Sequence, residues 1–152
     1  MGNPELGCGV YFSGRWTFFQ WPSDWRYSEI MADITCLELV PIVLSVFIFK
    51  EVLSMNQIIF YTDNEALVAI LNKKTSKSKR VMQLIRPFVL FTMLYGMQFK
   101  SLHIEGRFNC IADSMSRKEL WKLKELDPDL QELPETIPQE FLDLISGLKL
   151  AG

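Results

Sequence analysis

The chain has 152 residues, 49% of them hydrophobic and 22% charged, which is enough for one domain with a sizeable core and lies outside the range of disordered chains. A net charge of −2 excludes a protein that coats nucleic acid by bulk electrostatics, while leaving room for a local basic patch. The longest apolar run, Leu37 to Phe49, contains Glu38, Pro41 and Ser45 and falls short of the ~20 residues needed to cross a bilayer, so no membrane span is expected.

Gly7 to Phe12 and Arg15 to Trp21 are rich in β-branched and aromatic residues, and Ser13-Gly14 between them suits a tight turn. They read as two antiparallel strands. Pro22-Ser23-Asp24 closes the second, and an irregular connection through Trp25, Tyr27, Ile30 and Met31 follows. A helix is expected from about Asp33 to Leu53, with Leu37, Val40, Leu44, Phe47 and Ile48 at helical spacing and Pro41 as a candidate kink. Ile58 to Tyr61 reads as a short apolar strand buried on both faces, and Asn64 to Leu71 as a short helix. A polar loop from Asn72 to Ser78 leads to a long amphipathic helix, Lys79 to Tyr95, ended by Gly96. Gln98 to Ile104 is a further strand, Glu105-Gly106-Arg107 a turn, and Asn109 to Arg117 a helix. From Glu119 onward prolines interrupt an acidic stretch whose last element, Gln139 to Leu148, is a short helix begun by Pro138. Residues 1–118 are therefore expected to form the domain and residues 119–152 a tail. The order of elements is that of a mixed α/β fold with helices packed on a sheet.

The N-terminus has no basic stretch leading into an apolar one, so no secretory signal is expected and an intracellular site, cytoplasm or nucleus, is favoured. Cys8, Cys36 and Cys110 are odd in number with no CxxC spacing, so buried free thiols are expected rather than a zinc site or disulfides.

Three carboxylates stand where such a topology can bring them together. Asp63 follows the apolar strand, where α/β sheets place their ligand sites; it either caps the next helix or holds something charged. Glu38 sits in the apolar "CLELVPIV", where a charge needs a partner, and Asp113 lies in "NCIADSMSR". Each taken alone has a bland reading, as a cap or a surface acid. Converging carboxylates repel one another unless a cation neutralises them, and Mg²⁺ shared with substrate phosphates is the usual solution.

"YTDN" after an apolar strand, "LELVPIV" in the preceding helix and "HIEGRFNCIADSMSR" resemble the ribonuclease H domain of reverse transcriptases, specifically those of DIRS-type, tyrosine-recombinase retrotransposons. The opening "GNPELGCGVYFSGRW", the middle helix "VMQLIRPFVLF" and the Pro-rich "LPETIPQEFLDLI" are similar to segments of that domain in the same order. The resemblance implies a ribonuclease H-like mixed sheet of five strands with flanking helices. It also implies two-metal hydrolysis of the RNA strand of an RNA/DNA hybrid, with Mg²⁺, or Mn²⁺ in its place, held by Glu38, Asp63 and Asp113 as catalytic acids. Asn64 would meet the minor groove of the hybrid, where the 2′-hydroxyl marks RNA. The polymerase part of a parent polyprotein is a second implied partner.

One departure from the family pattern sets the expected activity. The family carries a first catalytic Asp at the end of its first strand, just before the Gly-Asn and Gly-Cys-Gly segments, and Met1 stands at that place here. The first strand is thus expected to be largely missing, the central position of the sheet open, and nuclease activity weak at most. The alternative is a non-catalytic nucleic-acid-binding or scaffold remnant of the same fold. A 3′–5′ exonuclease of that fold is disfavoured by the "ADSMSR" ending and the Pro-rich tail. His103, the only histidine, is expected to be packed or hydrogen-bonded, with proton transfer to a leaving group as the other reading. Lys73, Lys74, Lys77, Lys79 and Arg80 in "NKKTSKSKR" are either a solvated loop or contacts to phosphate.

Overall fold

In a computed structural model, which describes residues 7–105 and 120–148, Ser13 and Gly14 both take positive φ, 51° and 83°. Two consecutive residues of that kind make a turn whose twist matches that of the flanking strands. The turn joins β1 (Gly7–Phe12) to β2 (Arg15–Gln20) in antiparallel register from Gly7 opposite Gln20 to Phe12 opposite Arg15. Two single-turn 3₁₀ helices, Ser23–Trp25 and Glu29–Ala32, carry the chain onward. Trp25 stacks on Trp21 at 5.5 Å between ring centroids, and Ile30 is fully buried, so the irregular connection contributes to the core.

Helix α1 (Ile34–Ile48) starts at Asp33, whose Oδ1 accepts the Cys36 amide at 3.1 Å. The expected single helix to Leu53 is in fact divided. Phe49 departs from helical geometry with φ −99° and ψ 23°, and α2 (Lys50–Leu53) follows. The Phe49 side chain is buried beside Phe12 and under the Arg15 guanidinium, so the break docks this end of the helix against the hairpin. Pro41 is accommodated inside α1.

Strand β3 (Gln57–Thr62) pairs in parallel with β4 (Gln98–His103), Gln57 opposite Gln98 through Thr62 opposite His103. Between them run α3 (Glu65–Lys73) and α4 (Lys79–Leu94), the latter capped by Ser78 and followed by Gly96 at φ 65°. A left-handed residue just past a helix end favours glycine, as expected here. β3 was expected to be buried on both faces, but Ile59 is 43% and Tyr61 57% exposed. The reason is that, among the described residues, helices cover one face of β3 and its alternate residues point to the other.

The described residues thus form a mixed α/β structure with two separate two-stranded sheets, joined through α1 and α4. Phe47 of α1 stacks on Phe91 of α4 at 4.2 Å, while Phe60, Phe88 and Phe99 tie α4 to the parallel pair. The segment expected to be a tail is packed into the same core. It contains α5 (Leu120–Leu126) and α6 (Gln139–Ser146), and Phe141, Ile145 and Leu148 are buried in the main hydrophobic cluster. Leu130 packs on Trp16, whose indole N–H donates to the Gln131 carbonyl at 2.8 Å. Cys8 and Cys36 are free and buried, and burial pushes the Cys36 thiol up to about 12. Cys110 and the expected helix Asn109 to Arg117, with Asp113, lie outside the described residues. No helix among the described residues is long and apolar enough to cross a membrane.

Candidate carboxylate site

β3 ends at Thr62, a buried residue whose hydroxyl accepts the backbone N–H of Asn64 at 3.2 Å. Helix α3 then begins with Asn64 as its cap: the side-chain Oδ1 accepts the Leu67 N–H at 3.1 Å. The capping half of the alternative for Asp63 is thus not met. The capping role belongs to its neighbour, and the half-exposed Asp63 carboxylate is not used in it.

Glu38 comes from the second turn of α1 and is 6% exposed. It lies in the floor of a groove with Pro41, Ile42 and Ser45, between residues 9–11 of β1 and residues 61–63 at the end of β3. The Asn64 side chain lies near enough to its carboxylate to favour the charged form, and its Nδ2 donates to Thr35 Oγ1 at 3.3 Å. Glu38 Oε2 is buried with no hydrogen-bond partner among the described residues. Burial, and then the charge of Asp63, raises the Glu38 pKa above its ordinary value, and the nearby Asn64 side chain offsets part of that rise. A buried, orphaned carboxylate oxygen beside a second carboxylate is a site that favours a cation or a proton.

The donor set fits a hard divalent ion. Carboxylate oxygens suit Mg²⁺ and Mn²⁺, and Mg²⁺ is commonly held by one or two carboxylates, with waters and substrate phosphate completing its shell. Glu38 and Asp63 line the same groove. The third acid, Asp113, lies outside the described residues, and among these residues no group of three His, Cys, Asp or Glu side chains is gathered for a metal.

The basic residues divide into two sets. Lys73, Lys74, Lys77 and Lys79 are exposed between α3 and α4, with the Lys74 ammonium 5.0 Å above the Phe99 ring. Arg80 is instead held by Asp33 at 3.0 Å and Glu29 at 3.7 Å, its side chain 10% exposed, which ties the start of α4 to the start of α1. His103 is exposed at the end of β4, opposite Thr62, and makes no side-chain hydrogen bond among the described residues, so the expected packed or bonded histidine is not found there.

Sequence reasoning missed Thr35, Thr62 and the β1 wall of the groove. Thr62 was visible in "YTDN", where a hydroxyl two residues before an Asn is a common turn device. Nothing local to β1 points to Glu38. No family model, curated protein or solved structure matches the chain.

Proposed function

We propose that the chain is a ribonuclease H-like domain of a retroelement reverse transcriptase that acts in hydrolysing the RNA strand of RNA/DNA hybrids, with a divalent cation. The observation that carries this reading is the pairing of Glu38, with its buried and orphaned Oε2, and Asp63 at the end of a parallel strand. The mixed α/β arrangement and the order of the sequence motifs support it.

Glu38 and Asp63, joined by Asp113, would hold Mg²⁺ or Mn²⁺. When bound, the cation supplies an activated water and charge stabilisation for the leaving oxygen. The chain's own residues prepare the site. Asn64, at the capped start of α3, favours the charged form of Glu38, and the walls of the groove limit its access to water. Lys73, Lys74, Lys77 and Lys79 offer sequence-independent contacts to phosphate. Arg80 serves by fixing α4 against α1 rather than by contacting phosphate.

The test is hydrolysis of a hybrid labelled on its RNA strand, in Mg²⁺ and in Mn²⁺. Cleavage that Asp63→Asn, Glu38→Gln and Asp113→Asn each abolish is expected. Cleavage indifferent to these substitutions would refute the assignment. Salt-sensitive binding with no cleavage by the chain, or by a version extended with an apolar strand ending in Asp, would favour the non-catalytic reading.

A further inference from the structure

Helix α4 meets the core with one face. Val81, Leu84, Ile85, Phe88, Phe91 and Thr92 are buried, and at about 3.6 residues per turn they fill its inner half. The stripe directly opposite runs through Lys79, Gln83, Arg86, Leu90, Met93 and Leu94, residues that recur at the spacing of a single helical face. Such an outer stripe is polar on an ordinary surface helix. Here only its first half is: Leu90 is 58%, Met93 71% and Leu94 73% exposed. Met55 extends the apolar half past the end of the helix. Its N–H donates to the Tyr95 carbonyl at 3.0 Å, its thioether fills the space that a side chain at residue 96 would need, and it is itself 81% exposed. It holds this place at φ 64°, a conformation uncommon outside glycine.

A helix stripe offers side chains and no free backbone groups, because its N–H and C=O groups are bonded within the helix. The surface complementary to it is therefore another helix laid along it, ridge into groove. Charge then selects the occupant. α4 contains no acidic residue, and Arg80 is turned inward to Asp33 and Glu29, which leaves Lys79 and Arg86 exposed on the outer stripe. A second copy of α4 laid on this stripe would bring no carboxylate to Arg86 in either direction. An acidic helix would.

We propose that the outer stripe of α4, with Met55, docks an acidic amphipathic helix of another polypeptide. Its apolar residues cover Leu90, Met93, Leu94 and Met55, and its carboxylates face Arg86 and Lys79. The two methionines adapt their side chains to the apolar residues they meet. No residue of the stripe lines the groove of Glu38 and Asp63, and the docking needs neither a divalent cation nor nucleic acid. It therefore stands or falls separately from the nuclease reading.

The probes are two helical peptide amides of sixteen residues, the length of α4. Each carries leucine along one face of half its length and glutamate along the same face of the other half, with the glutamates N-terminal in one and C-terminal in the other. NMR of the full chain, without metal, follows the methyl signals of Met55, Leu90, Met93 and Leu94. One of the two peptides is expected to shift them saturably. Leu90→Ser, at an exposed position, should weaken that binding at least about tenfold while circular dichroism stays native. Arg86→Glu should weaken it to a similar degree and bind the same peptide with lysine in place of glutamate more tightly than the native chain does. Absence of saturable shifts with both peptides, or affinity unchanged by Leu90→Ser, overturns the proposal. Equal affinity of the native chain for the glutamate and lysine peptides overturns its acidic partner. Sedimentation of the chain alone and flotation with phosphatidylserine vesicles test the other occupants: self-association or vesicle binding that Leu90→Ser abolishes would assign the stripe to a second copy or to a lipid surface, and would overturn the proposal too.

Discussion

Replacing Glu38 by Gln should make the protein more stable at neutral pH. In the native structure the carboxylate is 6% exposed, its Oε2 lacks a partner among the described residues, and Asp63 adds a second negative charge. An unsatisfied buried polar group costs ~1–3 kcal/mol. Gln keeps the shape, removes the charge and offers an N–H toward Asp63, so a gain within that range is expected, or about 2–4 °C in Tm per kcal/mol for a chain of this size. The pH dependence follows from the raised Glu38 pKa. A group with a raised folded-state pKa contributes stability that is fully present below its unfolded pKa and lost as pH rises through the folded value. The native chain should therefore match Glu38→Gln near about pH 4, below the ordinary Glu pKa of about 4.3, and fall behind it toward neutral pH. Saturating Mg²⁺ should close the gap from the other side, because a cation at 100-fold over its Kd adds about 2.7 kcal/mol to the form that binds it. Thermal melts followed by circular dichroism, at acid and neutral pH with and without Mg²⁺, measure all of this. A Gln variant less stable than the native chain at neutral pH, or a gap that does not change with pH, would refute the reasoning.

Asn64→Ala should lose the α3 cap and cost ~1 kcal/mol in urea denaturation, whereas Asp63→Ala should cost nothing or stabilise by removing a charge beside Glu38. Phe141→Ala should cost about 3–5 kcal/mol, because its ring is fully buried edge-on to Phe19 at 5.3 Å, and the same denaturation series checks it. Joint replacement of Lys73, Lys74, Lys77 and Lys79 by Ala should weaken hybrid binding and flatten its salt dependence, by somewhat under one unit of slope (about 0.7–0.9) for each phosphate no longer neutralised. Arg80→Ala should instead lower stability through the broken links to Asp33 and Glu29 and leave that slope unchanged.

The local elements could be read from the sequence where one residue type decides the geometry. Ser13-Gly14 fixed the hairpin, and Gly96 the end of α4, because positive φ is costly for most side chains. The break at Phe49 was hidden because apolar periodicity runs through it and the cause is a tertiary contact with Phe12 and Arg15. Prolines around α6 suggested a tail, yet what binds that segment is backbone pairing to β2 and burial of Phe141, both non-local. At the site, Glu38 and Asp63 were recognisable as acids in apolar settings. The choice between Asp63 and Asn64 as cap was not, since a shift of one residue in the start of α3 exchanges their roles. The separation of the strands into two pairs is likewise absent from local pattern, because an apolar run such as Ile58 to Tyr61 does not encode how many neighbours it has.

The most direct measurement is Mn²⁺ binding to the full chain, followed by the loss of the free-ion electron paramagnetic resonance signal. Saturable binding is expected, weakened at least about tenfold by Glu38→Gln and by Asp63→Asn while far-ultraviolet circular dichroism stays native. Equal Mn²⁺ affinity in the native chain and both variants would contradict the assignment of Glu38 and Asp63 as a cation site.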